Sequence, residues 1–197
     1  MKVAELTTWE QCKAVTEELL SRQETLHDES LHSLDQGSGV YMLTYSGTEL
    51  GGRVFNAADT PQILFIGASK PTSSRHFKDG TTGNSTIRRS LAALLASRLD
   101  LMPVPRSQDA SDNDRYDNYM LAPECEVRLT AWMQENIKAA YIAVDQDKVE
   151  AMQKALIDYN VPMLNFQHNP ANKYGAEIKI ARKKLATAAR KHETTGS

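Results

Sequence analysis

The chain has 197 residues, 41% of them hydrophobic, and a formal net charge of −2. That supports one packed core with appendages, and no apolar run approaches the roughly 20 residues of a membrane helix. The start, MKVAELTTWEQCK, has no signal-peptide apolar stretch, which leads to the expectation of a soluble, cytoplasmic protein. The two cysteines, Cys12 and Cys125, form neither a CxxC nor a metal-ligand spacing, so a disulfide framework is not expected.

In chain order, Thr7 or Thr8 caps a first helix running to about Arg22. Cys12, Val15 and Leu19 recur at helical spacing, and Glu10 would supply the capping-box acid. HDESLHSLDQGSG reads as a loop, and Val40 to Tyr45 as a strand of aromatic and β-branched residues. A broad turn with a short strand at Arg53 to Phe55 leads to a second strand, Ile63 to Gly67. The polar loop ASKPTSSRHFKDGTTGNST is too long for a plain connector, as functional loops often are.

Ser85 or Thr86 then caps a helix, TIRRSLAALLASRLD, with Ile87, Leu91, Leu94, Leu95 and Leu99 on one face and Arg88 and Arg89 off it. MPVPRSQDASDNDRYDNYMLAPE reads as an acidic loop; its DASDND lacks the glycine and closing glutamate of a calcium loop. CEVRLTAWMQENI is a helix, Lys138 to Val144 a third strand, and a helix from Asp145 or Asp147 ends before Pro162. From Asn172 onward seven Lys or Arg face two Glu, a basic closing helix on an otherwise acidic body. The order suggests an α+β fold, with a small, mainly antiparallel three-stranded sheet flanked by helices.

Three short signatures stand in order: Gly39-Val40-Tyr41, Phe65-Ile66-Gly67, and Arg75 ten residues beyond Phe65. QKALIDYNVPMLN, with Pro162-Met163-Leu164-Asn165, follows. Together these resemble the GIY-YIG nuclease domain over roughly Gly39 to Asn165. NSTIRRSLAALL and NFQHNPANKYGAEIK are similar to a bacterial subgroup of GIY-YIG-like proteins. The resemblance implies phosphodiester hydrolysis of DNA with one divalent cation, Mg²⁺ or Mn²⁺, on a helix glutamate. It also implies a tyrosine that orients or activates the nucleophile, an arginine on the phosphate and an asparagine supporting the site.

Carried onto this chain, Tyr41 and Arg75 take the reaction, with His76 beside Arg75 and Asn165 as support. Arg75 suits a phosphate because its planar fork bonds two oxygens. Tyr41 on a strand would pass a proton once its pKa is lowered. Two departures stand out. Phe65 replaces the usual tyrosine, and Gln153 stands where the family has its metal-binding glutamate, though a carboxamide is a poor magnesium ligand.

Glu150, one turn earlier, is the available carboxylate for a metal. From the stripe of Val149, Met152, Leu156 and Tyr159, Gln153 lies about 80° away and Glu150 about 140°. That puts Gln153 at a cleft edge and turns Glu150 toward solvent. Arg88, Arg89, Lys179, Arg182 and Lys183 are expected nucleic-acid contacts, the first two at a helix N-terminus suited to anions.

Each residue has a bland reading too: Tyr41 a half-buried strand tyrosine, Arg75 and His76 surface loop residues, Asn165 a turn cap, the arginines a solvated face. The expected organisation is an N-terminal helical segment (1–36), a nuclease-like domain (37–168) and a basic C-terminal helix (169–197). The leading function is a metal-dependent DNA endonuclease. The alternatives are a non-catalytic nucleic-acid-binding or assembly module and, third, a small-molecule-binding α+β protein.

Overall fold

The computed structural model describes residues 8–26, 37–55, 61–69 and 80–195. They divide into two compact units. The first comprises residues up to Thr48, Phe55–Ser74 and Gln134–Gly175; the second comprises Glu49–Val54, Arg75–Met133 and Ala176–Ser197.

The first unit holds helix α1 (Trp9–Ser21), strands β1 (Glu24–Thr25), β2 (Gly39–Tyr45), β5 (Gln62–Ser69) and β8 (Ile137–Ala143), and helix α4 (Val149–Asn160). Its sheet is antiparallel in the order β1-β8-β2-β5, so the α+β expectation holds with one strand more than the three foreseen. β1 is only two residues long, too short to leave a periodic signal.

One face of this sheet is the core. Val40, Met42, Ile66, Ala140 and Ile142 meet Cys12 and Leu19 of α1 and Leu156 and Ile157 of α4. The stripe on α4 is as expected, with Val149 buried and Met152 and Tyr159 against the cluster. The period of two along β2 sends Tyr41, Leu43 and Tyr45 to the opposite face. Thr8 caps α1 with a full capping box, but the reciprocal partner is Gln11, not Glu10: the box needs the third helical residue, and Glu10 is the second.

The second unit holds the hairpin β3 (Glu49–Leu50) and β4 (Arg53–Val54), a 3-10 turn at Thr82–Asn84, α2 (Thr86–Leu95), the pair β6 (Pro103–Val104) and β7 (Met120–Leu121), most of α3 (Pro123–Asn136), and α5 (Gly175–Thr195). α2 stops at Leu95 rather than running to Asp100. The acidic stretch expected as a plain loop is anchored at both ends by β6 and β7, where Pro103 pairs with Leu121 and Val104 with Met120.

A second correction concerns Arg88. It is 1% exposed and bonds Glu126 at 2.9 Å and the Thr130 hydroxyl at 2.9 Å. Glu126 also accepts from the Thr82 amide and hydroxyl, both at 2.8 Å, and from the Leu121 amide at 3.2 Å. This carboxylate ties the 3-10 turn, α2 and β7 together. Its burial leaves Arg88 no path to a phosphate, contrary to the solvent-facing role expected from the helix wheel.

Candidate active site

The two glycine-aromatic stretches are neighbouring antiparallel strands. Tyr41 of β2 lies directly opposite Gly67 of β5 on one side and Tyr141 of β8 on the other. The Tyr41 ring lies over Gly67: a Cβ there would stand 2.2 Å from Tyr41 Cζ. In the same way the Tyr141 ring occupies the space of a Cβ on Gly39, 2.4 Å from Tyr141 Cε2. Each motif glycine therefore makes room for a tyrosine of the adjacent strand. The Phe65 ring flanks Tyr41 at 5.9 Å between centroids, tilted by 35°.

The outer edge of β5 is closed by the chain after α4. Met163 and Leu164 donate their amides to the carbonyls of Ile63 (3.2 Å) and Leu64 (2.7 Å). Asn165 continues this with its side chain. Its Oδ1 accepts from the Ile66 amide and its Nδ2 donates to the Ile66 carbonyl, both at 2.9 Å. The buried Asn165 carboxamide thus takes the place of a strand residue at the motif's central position. Asn169 and Asn172 hold this segment in turn, each donating to the Asn165 carbonyl, at 3.1 and 2.9 Å. Sequence reasoning missed both, although three asparagines at spacings of four and three after a proline are a signal for side chains that satisfy irregular backbone.

Gln153 reaches the same carbonyl, Nε2 to the Ile66 oxygen at 3.3 Å. The structure thus brings Gln153, Asn165 and the Phe65-Ile66-Gly67 stretch together at the β5 edge, with Tyr41 packed over Gly67 from β2. Glu150 is apart from them: its side chain is 77% exposed and accepts from Lys154 Nζ at 2.6 Å. Arg75 and His76 lie outside the described residues. Lys179 and Lys183 are exposed on α5 and Arg182 is half-buried there, its guanidinium held below its ordinary pKa by burial. Arg89 is 8% exposed and bonds the carbonyls of Thr82 and Gly83.

Among the described residues no three His, Cys, Asp or Glu side chains gather into a metal-binding group. The position at the strand edge is an amide donating to a carbonyl, which a carboxylate cannot do, and the nearest turn's carboxylate is bonded to a lysine. The described residues do not fit a carboxylate-held cation at this edge. What they supply is a phenol in a fixed seat and a strand edge pinned by two amides, neither of which titrates.

Fold and site thus define an α+β domain in which a Gly-x-Tyr strand and an aromatic-x-Gly strand interlock. The GIY-YIG catalytic domain family matches residues 39–184, and the chain belongs to that family, one of the nuclease class. No curated protein and no solved structure matches the chain. No helix among the described residues is long and apolar enough to cross a membrane.

Proposed function

We propose that this protein is a DNA endonuclease that hydrolyses phosphodiester bonds at the Tyr41 side of the β2–β5 pair. The observation that carries the reading is the seating of Tyr41 over Gly67 beside Phe65, which fixes a phenol where both family motifs meet. In this reading the Tyr41 hydroxyl orients the attacking water by hydrogen bonding. Arg75 binds the phosphate oxygens through its two-pronged guanidinium, and Asn165 keeps the motif strand in register. Lys179 and Lys183 add affinity for the DNA backbone. Since the described residues do not fit a carboxylate-held cation, Mg²⁺ or Mn²⁺ enters only as a condition of the assay, and no step is assigned to it.

The test is nicking of supercoiled plasmid at low salt with Mg²⁺ or Mn²⁺. Tyr41→Phe is expected to lower the rate by about 10²-fold or more, and Arg75→Ala to abolish it.

One observation favours a second reading, a non-catalytic nucleic-acid-binding module: the Gln153 amide is engaged by the Ile66 carbonyl. If plasmid is nicked by Gln153→Glu but not by the protein as it stands, the fold carries an impaired site and the second reading holds. If neither protein cuts, with either ion, the endonuclease reading is wrong.

A further inference from the structure

The basic residues of α5 are arranged, not scattered. The buried side of the helix is Ile178, Ala186 and Ala189. At about 100° per residue, Lys179, Lys183 and Arg190 fall within about 40° of one another, on one flank of that side. All three are exposed. At a rise of about 1.5 Å per residue, the row they form is about 16 Å long.

One end of this row is fixed in place. Arg190 Cζ lies over the Tyr116 ring, 4.6 Å from its centroid. The ring has its own support: Arg115 Cζ lies 4.8 Å from the same centroid, and Arg115 Nη2 donates to the Tyr116 hydroxyl at 2.7 Å. The backbone beneath is tied too. The Arg106 amide donates to the Arg115 carbonyl at 2.8 Å, the Arg115 amide to the Asp112 carbonyl at 3.2 Å, and the Tyr119 amide to the Tyr116 carbonyl at 3.1 Å.

Other arginines of this unit are matched to carboxylates: Arg53 to Glu177, Arg88 to Glu126, and Arg106 to Asp112. Arg190 is not. Among the described residues it makes the ring contact and no hydrogen bond or ion pair, although Asp114 and Asp117 flank Tyr116 in sequence. The stack therefore positions this charge without neutralising it. A guanidinium stacked by its face keeps its in-plane N–H donors for an oxyanion. Its side chain is already held, so less rotamer freedom is lost on binding.

We propose that Arg190, held on the Tyr116 ring, anchors a contact between the row Lys179, Lys183 and Arg190 and the backbone of duplex DNA. This rests on the reading of α5 as a DNA contact and is independent of whether the protein cuts. The guanidinium fork bonds two oxygens of one phosphate, and the lysines follow as point charges. At about 3.4 Å per phosphate along one strand, a row of about 16 Å runs beside about five phosphates, room enough for three contacts.

The test is anisotropy of a labelled DNA duplex titrated with the full chain, in EDTA so that nothing is cut, across a series of salt concentrations. Arg190→Gln should bind roughly tenfold more weakly and lower the salt slope by about 1. Tyr116→Leu and Arg190→Lys keep the charge but lose the support or the fork. Each should bind roughly threefold more weakly with the slope unchanged. Tyr116→Phe, which keeps the ring, and Lys13→Gln, which removes an equal charge from α1, should bind as the unaltered chain does. Circular dichroism establishes that each variant folds; if Tyr116→Leu does not, Arg190→Lys carries the comparison. A stack that only fastens α5 would lower the melting temperature of Tyr116→Leu and leave its DNA binding intact, which overturns the proposal. Duplex binding equal in the unaltered chain and Arg190→Gln overturns it while the DNA reading stands. No duplex binding by the unaltered chain overturns both.

Discussion

At the scale of single residues, the two motif glycines earn their place by what they lack. Gly67 is a seat for a ring, so Gly67→Ala would force Tyr41 out of it. The expected result is a loss of about 1–3 kcal/mol in urea unfolding, the usual cost of an overpacked core. A variant that unfolds at the same urea concentration would mean that Tyr41 moves aside freely and is not held. Arg106 and Asp112 offer a second residue-level test. The Arg106 guanidinium holds the Asp112 carboxyl below its ordinary pKa.

A carboxyl depressed in the folded state stabilises it above its unfolded pKa, about 3.9, and loses that contribution as pH falls through the folded value. Melting temperatures of the unaltered chain and of Asp112→Asn should therefore differ most above about pH 4. They should converge in more acid solution. A gap that persists unchanged through the acid range would show that the ion pair adds nothing.

At the scale of elements, α4 ends in a strained way that matters to the site. Val161, its C-terminal cap, has φ +47° and ψ +55°, a left-handed conformation that a β-branched residue rarely takes. The turn delivers Pro162 and then the segment that zips along β5, so the strain lies between the helix and the asparagine support. Asn tolerates this conformation, and Val161 is 37% exposed, so little burial is lost. Val161→Asn should raise stability by about 1 kcal/mol; a lower melting temperature would count against strain at this cap.

The elements also show how far the sequence was legible. β2, β5 and β8 were legible as short apolar runs of β-branched and aromatic residues, β2 being buried on both faces, and the apolar-striped helices through their period. β1, β6 and β7 were not, being two-residue pairings fixed by partners distant in sequence. Arg88 was misplaced for the same kind of reason. A helix wheel separates apolar from charged residues, but it cannot see that Glu126, 38 positions later, turns a charged side chain into a buried one.

At the scale of the whole molecule, a net charge of −2 hides a basic closing segment. If α5 meets DNA as proposed, log affinity should fall linearly with log salt, because bound phosphates release counterions. Lys179→Gln and Lys183→Gln should each reduce that slope by about 1 without altering preference among sequences. A slope identical in all three proteins would remove α5 from the interface.

The sequence by itself determined the family, through the order and spacing of Gly39-Val40-Tyr41, Phe65-Ile66-Gly67 and Asn165, and the α+β class, through periodicities that local chemistry imposes. Only the tertiary structure decided that Tyr41 sits over Gly67, that Gln153 and Asn165 converge on one carbonyl, and that Arg88 is spent inside on Glu126. These are meetings between residues tens of positions apart, set by strand pairing and core packing, and no local pattern encodes them.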